Sequence, residues 1–332
     1  MRAWRRWGAA WTACLVLTAT ASAEVVRLAN DPALSPDGTQ IVFAWRGDLW
    51  QVAATGGTAT RLTHHAAVEH RPRFSPDGKQ LAFSSNRTGT SQVFVMPATG
   101  GEARQLTFHT QGSQLEDWSP DGRAVLTSGV RDHFWRSGTR FFRVELDRRT
   151  AERPLFDDYG HDGQLSPDGK SLLFSREGEQ WWRKGYVGSR AAQIWRYDLE
   201  TQKFDQLRRE TVESRWPLWK PDGSGFYFVT GQRCGNLAEF SFADQSVQML
   251  TNYEDDSVVF PSISRDGKTI AFRRLFDLYV FRPDAGQPPH PIAVDVADDA
   301  AVDPLLRRTW SQAEQVAFTS DGLEVAFIAG GD

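Results

Sequence analysis

Three stretches carry residue types that could do chemistry. His64-His65-Ala66-Ala67-Val68-Glu69-His70 offers imidazoles and a carboxylate, a donor set that zinc accepts when two rings converge. It falls between two strand patterns, where histidines are ordinarily solvated, and no metal is assigned to it. Asp157-Asp158-Tyr159-Gly160-His161-Asp162 offers clustered oxygens for calcium. Its spacing departs from the twelve-residue calcium loop, so it reads as an acidic loop. The third stretch is the most distinctive. Gln180 to Ala192 holds Trp181-Trp182-Arg183-Lys184-Gly185-Tyr186-Val187-Gly188-Ser189-Arg190. Adjacent indoles with interleaved cations suit two roles. Either the loop folds over a sheet edge, with arginines stacked on its rings, or it docks a partner domain or a substrate peptide. The candidate docking residues are Trp181, Trp182, Arg183, Lys184, Tyr186 and Arg190. No Gly-x-Ser-x-Gly elbow, phosphate loop or paired-cysteine metal motif occurs. The chain is therefore assigned no catalytic residue, no metal and no cofactor.

The elements that position these stretches are set by a repeated turn. Ser-Pro-Asp-Gly stands at Ser35–Gly38, Ser75–Gly78, Ser119–Gly122 and Ser166–Gly169. Looser copies are Lys220-Pro221-Asp222-Gly223, Ser264-Arg265-Asp266-Gly267 and Thr319-Ser320-Asp321-Gly322. Proline presets φ at the first corner, aspartate bonds back to nearby backbone, and glycine accepts positive φ. An apolar residue such as Phe74 or Trp118 precedes the turn, and an alternating strand such as Gln80-Leu81-Ala82-Phe83 follows it. Two further strand patterns complete each unit of about 40 to 55 residues. Four short antiparallel strands per repeat make the blade of a β-propeller. The expected fold is all-β, with six four-stranded blades over residues 24–294. Insertions fall between the second and third strands of blade three (Arg131 to Arg140) and blade four. An aromatic recurs in the third strands at Trp50, Phe94, Phe142, Trp195, Phe240 and Tyr279, and reads as packing between blades.

The ends of the chain differ from this pattern. Arg2, Arg5 and Arg6, the apolar run Ala9 to Thr20 and Ala21-Ser22-Ala23 read as a secretory signal peptide, residues 1–23. Export, to the periplasm, is the expected location, with no membrane span left after cleavage. Removing three arginines and no acid moves the formal net charge from −4 to −7, which argues against nucleic acid as a partner. Only Cys234 remains, a small buried strand residue on this reading. Residues 295–312 are acidic and alanine-rich and read as a linker. Residues 313–332 hold two strand patterns around the seventh turn. They either begin a second propeller or form a partial seventh blade. No N-terminal strand obviously completes the last blade, although Val25-Val26-Arg27 is available for it. A seam between blades one and six, held by side chains, is therefore expected.

Trp182-Arg183-Lys184-Gly185-Tyr186-Val187-Gly188-Ser189 followed by Ile194-Trp195-Arg196-Tyr197 resembles a loop and strand of tricorn-type proteases, in their N-terminal propeller. The resemblance covers essentially all of residues 25–332. It implies a substrate-gating or docking propeller of an exported serine peptidase, with PDZ and peptidase domains outside this chain and an oligomeric assembly. In that family an arginine pair before the third blade can hold a peptide's C-terminal carboxylate. The matching stretch, Phe108 to Asp117, has no arginine. The turn repeats also occur in TolB, an envelope-protein binder, and in prolyl-oligopeptidase-like enzymes, which stand as alternatives.

Overall fold

A computed structural model describes residues 24–131, 138–147, 152–178, 180–208, 212–297, 314–320 and 325–328. The expected signal peptide and most of the expected linker lie outside these residues. The chain divides into two units, Met1–Ala297 and Asp298–Asp332.

The first unit is built of six four-stranded antiparallel sheets among the described residues. Each sheet is one continuous segment of chain. In blade one the strands are Asn30–Leu34, Gln40–Trp45, Asp48–Ala53 and Thr60–Arg61, paired in that order. The innermost strands of the other five blades are Glu69–Phe74, Gln114–Trp118, His161–Leu165, Ser214–Trp219 and Val259–Ile263. Each lies beside its neighbour in sequence order, and the sixth lies beside the first, so the blades surround a central channel.

The repeated turn explains much of this regularity. In blade one the Ser35 hydroxyl donates to Asp37 at 2.6 Å, Asp37 accepts the Thr39 amide, and the Gln40 amide donates back to Ser35 Oγ. The turn glycines of the six blades all take φ between 68° and 74°. The turns also pack on one another. A side chain at Gly78 would meet Pro36, one at Gly122 would meet Pro76, and one at Gly267 would meet Pro221. Blade six closes onto blade one by a backbone bond, the Arg265 amide donating to the Pro36 carbonyl at 3.1 Å.

The seam between blades one and six differs from the expectation. Residues Val294–Val296 form a strand that pairs antiparallel with Glu24–Val25 and parallel with Gly57–Thr58 of blade one. Gly57 donates to the Ala293 carbonyl at 2.8 Å, and Ala59 donates to Asp295 at 2.7 Å. The ring is thus clasped by hydrogen bonds, and Asp295 and Val296 are sheet rather than linker. The chain leaving blade six still alternates apolar residues (Ile292, Val294, Val296), and these join the core shared with Val26, Phe43 and Leu278. The third-strand aromatics pack chiefly across their own sheet. Phe83 and Phe94 stack at 5.9 Å, Phe226 and Phe240 at 4.8 Å, Phe272 and Tyr279 at 5.5 Å. Cys234 is buried in the hairpin loop of blade five rather than in a strand.

In the second unit Glu314–Phe318 pairs antiparallel with Val325–Ile328, and Val316 and Phe318 are exposed.

Candidate functional site

Every innermost strand carries one extra residue at a bulge about half-way along it. In five blades this residue stands four positions before the first residue of the turn: Asp31, Arg71, Asp162, Trp216 and Phe260. All five have left-handed backbone, with φ between 48° and 53°. Non-glycine residues rarely adopt this region, and it re-aims their side chains. Blade three bulges one residue later, at Glu116. These six residues line one end of a cavity of about 420 Å³. A second tier, two positions before the turn, lines it deeper down: Ala33, Arg73, Asp117, Gln164, Leu218 and Ser262. The apolar residues just before the turns, such as Phe74 and Trp118, line the turn end.

The mouth has two unlike halves. On the polar side, Arg71 donates to Glu116 at 3.0 Å and to Asp162 at 3.2 Å, and its backbone amide donates to Asp31 at 3.2 Å. Glu116 is buried and also accepts from the Ser128 hydroxyl and the Gly163 amide. Burial opposes the charge on Arg71, but the three carboxylates outweigh it and push its pKa up. His161 lies beside Asp162 at 2.9 Å, and its other ring nitrogen faces the Glu177 carbonyl at 2.6 Å. Both partners are acceptors, so the doubly protonated ring is favoured. Its pKa is raised by Asp162 against the effect of burial. Asp162 is held at about 2, burial being outweighed by His161 and Arg71. Deeper in, Asp117 accepts the Leu165 amide at 3.0 Å, and burial pushes its carboxyl up to about 6.

The other half is aromatic. Trp216 and Phe260 meet edge to face at 5.6 Å. Trp181, from the blade-four insertion, joins them with its ring 5.1 Å from Phe260. The Arg273 guanidinium lies over both Trp181 and Phe260, at 5.1 and 5.2 Å. The insertion thus reaches across blade five to the channel. Lys184 forms an ion pair with Asp256, which pins it toward blade six. Arg183 stacks on Tyr186 at 5.0 Å, and Gly178 donates to the Arg190 carbonyl at the loop's base. Trp182 stands out to solvent, 62% exposed, against its half-buried neighbour Trp181. Of the candidate docking residues, Trp181 meets the channel's aromatic arc, and Arg183 and Lys184 line a small neighbouring pocket with Trp181 and Trp216.

The channel mouth opens on the face that holds the hairpins between second and third strands and the links between blades. Leu28, Val68, Phe108, Trp182, Leu275 and Phe276 are all exposed there. The opposite face carries the turns, with Asp37, Asp77, Asp121, Asp168, Asp222 and Asp266.

The remaining sequence candidates disperse. His64 and His65 are exposed, His65 Nδ1 accepts the Ala67 amide, and His70 sits in the innermost strand of blade two. Asp157 pairs with Arg140, Asp158 with Arg176, and Asp162 with Arg71, so the three carboxylates point to different cations. Among the described residues no group of three or more His, Cys, Asp or Glu converges as a metal site.

Residues 26–287 match the family described as the tricorn protease N-terminal beta propeller domain. The chain belongs to this family. A tricorn protease homolog from Saccharolobus solfataricus is 23% identical over 258 residues, 74% of this chain and 23% of that protein. Tricorn protease homolog 1 of Streptomyces coelicolor is 36% identical over 62 residues, 19% of this chain and 6% of that protein. This tricorn-type propeller therefore spans less than a quarter of the length of those relatives. Among solved structures, the crystal structure of the tricorn protease shares its fold with a TM-score of 0.70 and 21% identity, covering 91% of this chain and 29% of that one. A putative TolB from Agrobacterium tumefaciens shares the fold with a TM-score of 0.60 and 21% identity, covering 77% and 91%.

Proposed function

We propose that this tricorn-type propeller handles peptide for an exported serine peptidase, receiving it at the aromatic and charged mouth of the central channel. Proteolysis itself would belong to PDZ and peptidase domains of the full protein, which also assembles as an oligomer. The observation that carries this reading is the contact of Trp181 with Phe260. It joins the family's characteristic insertion to the channel, and an aromatic arc beside buried carboxylates suits an extended chain with mixed side chains. The apolar residues exposed around the mouth suit a partner domain on the same face.

The test is direct binding. The purified 24–297 unit, titrated with a fluorescein-labelled unstructured decapeptide, is expected to bind at micromolar concentrations and to hydrolyse nothing. Trp182→Ala is expected to weaken binding without lowering the melting temperature. Absence of binding, or peptide hydrolysis by this chain, would count against the reading. The TolB-like alternative, capture of envelope proteins, rests on a fold likeness alone. It predicts retention of a folded envelope lipoprotein and none of the peptide.

A further inference from the structure

The turn end of the channel is ringed by the second residues of the six repeated turns. Five are prolines, Pro36, Pro76, Pro120, Pro167 and Pro221, and all five line the channel. The sixth is Arg265, which lines it too. A proline cannot reach beyond its own turn and carries no donor. An arginine has a long stem and five donors on a planar fork. The exception in blade six therefore changes what the ring can do.

The Arg265 guanidinium donates to the Pro120 carbonyl at 3.2 Å. Pro120 belongs to blade three, which stands opposite blade six in a ring of six. The side chain thus crosses the middle of the turn end. Its backbone stays at the rim, with the amide on the Pro36 carbonyl at 3.1 Å. Arg71, at the mouth, behaves differently: from blade two it reaches only the next two blades, at Glu116 and Asp162. The prolines have little room to move aside. Pro36, Pro76, Pro120 and Pro221 each lie against the turn glycine of the following blade, within 3.7 Å of where a side chain there would begin. Arg265 is exposed, and water can replace the carbonyl that it meets, so it is the movable part of this ring.

We infer that Arg265 is a latch across the turn end, which makes the channel a blind pocket for the leading end of a peptide. The chain enters at the mouth, and its first residues fill the cavity of about 420 Å³. They stop at the guanidinium, and pass the turns only when it swings off Pro120. This inference rests on the peptide-handling reading above and adds depth and direction to it.

The experiment uses the 24–297 unit, whose ring is closed by its own clasp. The probe is the unstructured peptide of the binding test, extended to twenty residues, with photo-leucine at its free end and fluorescein at the other. Crosslinks are mapped by mass spectrometry. In the unaltered chain they are expected on Leu34, Phe74 and Trp118 inside the channel, and not on the turn carboxylates Asp37, Asp77 and Asp168 outside it. Arg265→Ala keeps the amide that meets Pro36 and removes the crossing side chain. It is expected to raise crosslinking to those carboxylates at least fivefold, with the melting temperature unchanged. The same crosslink map in both proteins would overturn the latch and, with the channel residues labelled, leave peptide handling standing. Channel residues labelled in neither protein would overturn both.

Discussion

Trp181 stands edge-on to Phe260, with their ring centroids 5.1 Å apart. One residue comes from a loop inserted in blade four and the other from the bulge of blade six's innermost strand. Their contact sets the insertion against Phe260, a residue of the channel lining. The adjacent Trp182 meets Trp181 edge to face at 5.6 Å but stands largely in solvent. Trp181→Ala is therefore expected to cost about 1–3 kcal/mol, the range for truncating a half-buried aromatic. Trp182→Ala is expected to change stability by less than about 0.5 kcal/mol. Chemical denaturation of both variants checks the contrast, and equal losses would remove the distinction between the packed indole and the exposed one.

Arg71 is the keystone of the polar half. Replacing it with methionine leaves Glu116 and Asp162 facing each other without their shared cation. The loss is expected to be about 1–3 kcal/mol, less than for a fully buried pair because Arg71 retains 25% of its side-chain exposure. A second change, Glu116→Gln, is expected to recover part of it. Urea titrations of the single and double variants form the test, and simple additivity would contradict the shared-cation arrangement.

Asp117 gives a pH dependence with a definite sign. Its pKa in the fold is pushed up to about 6, from an ordinary 3.8, by burial. The fold therefore binds the proton more tightly than the unfolded chain does. Its contribution favours the fold at low pH and is lost as pH rises from about 4 through about 6. The ceiling on this effect is about 3 kcal/mol, reduced by residual solvent contact. Asp117→Asn keeps an acceptor for the Leu165 amide and should raise the melting temperature at pH 7.5 while doing little at pH 4. A variant that is destabilised at pH 7.5 would show that the carboxylate is stabilising.

The clasp between the ends of the ring rests on a close approach. Gly56 has φ of 86°, and a methyl group there would lie 2.5 Å from the Ala293 carbonyl oxygen. Gly56→Ala is expected to destabilise by about 1–3 kcal/mol through strain and displacement of the Val294–Val296 strand. Amide exchange should quicken selectively at Gly57 and Ala59, whose donors are held by Ala293 and Asp295. Unchanged exchange at these two amides would mean that the seam is held by side chains after all.

Most of the frame was legible from the turns. Serine, aspartate and glycine at fixed spacing close a local hydrogen-bonded turn that depends on nothing distant, so each copy announces a blade. The clasp was not legible, because Val294–Val296 is three residues long and its partners lie some 240 to 270 positions away. The channel was missed for a different reason. Asp31, Arg71, Asp162, Trp216 and Phe260 differ in chemistry and share only a position, four residues before the turn. Counting back from each turn would have found them. Glu116 and Asp117 were noted only for the absence of arginine beside them, whereas the guanidiniums stand in blade two, at Arg71 and Arg73. In the insertion the paired indoles were visible, but which one turns inward depends on Phe260, contributed by another blade.

The central claim is that the channel mouth, with the insertion packed against its aromatic side, receives peptide. Hydrogen–deuterium exchange of the 24–297 unit with and without the saturating unstructured decapeptide tests it most directly. Added protection is predicted in the innermost strands around Arg71, Glu116, Asp162 and Phe260, and in residues 181–190, with the outer strands unaffected. Protection confined to the turn face or the blade edges, with the mouth unchanged, would contradict it.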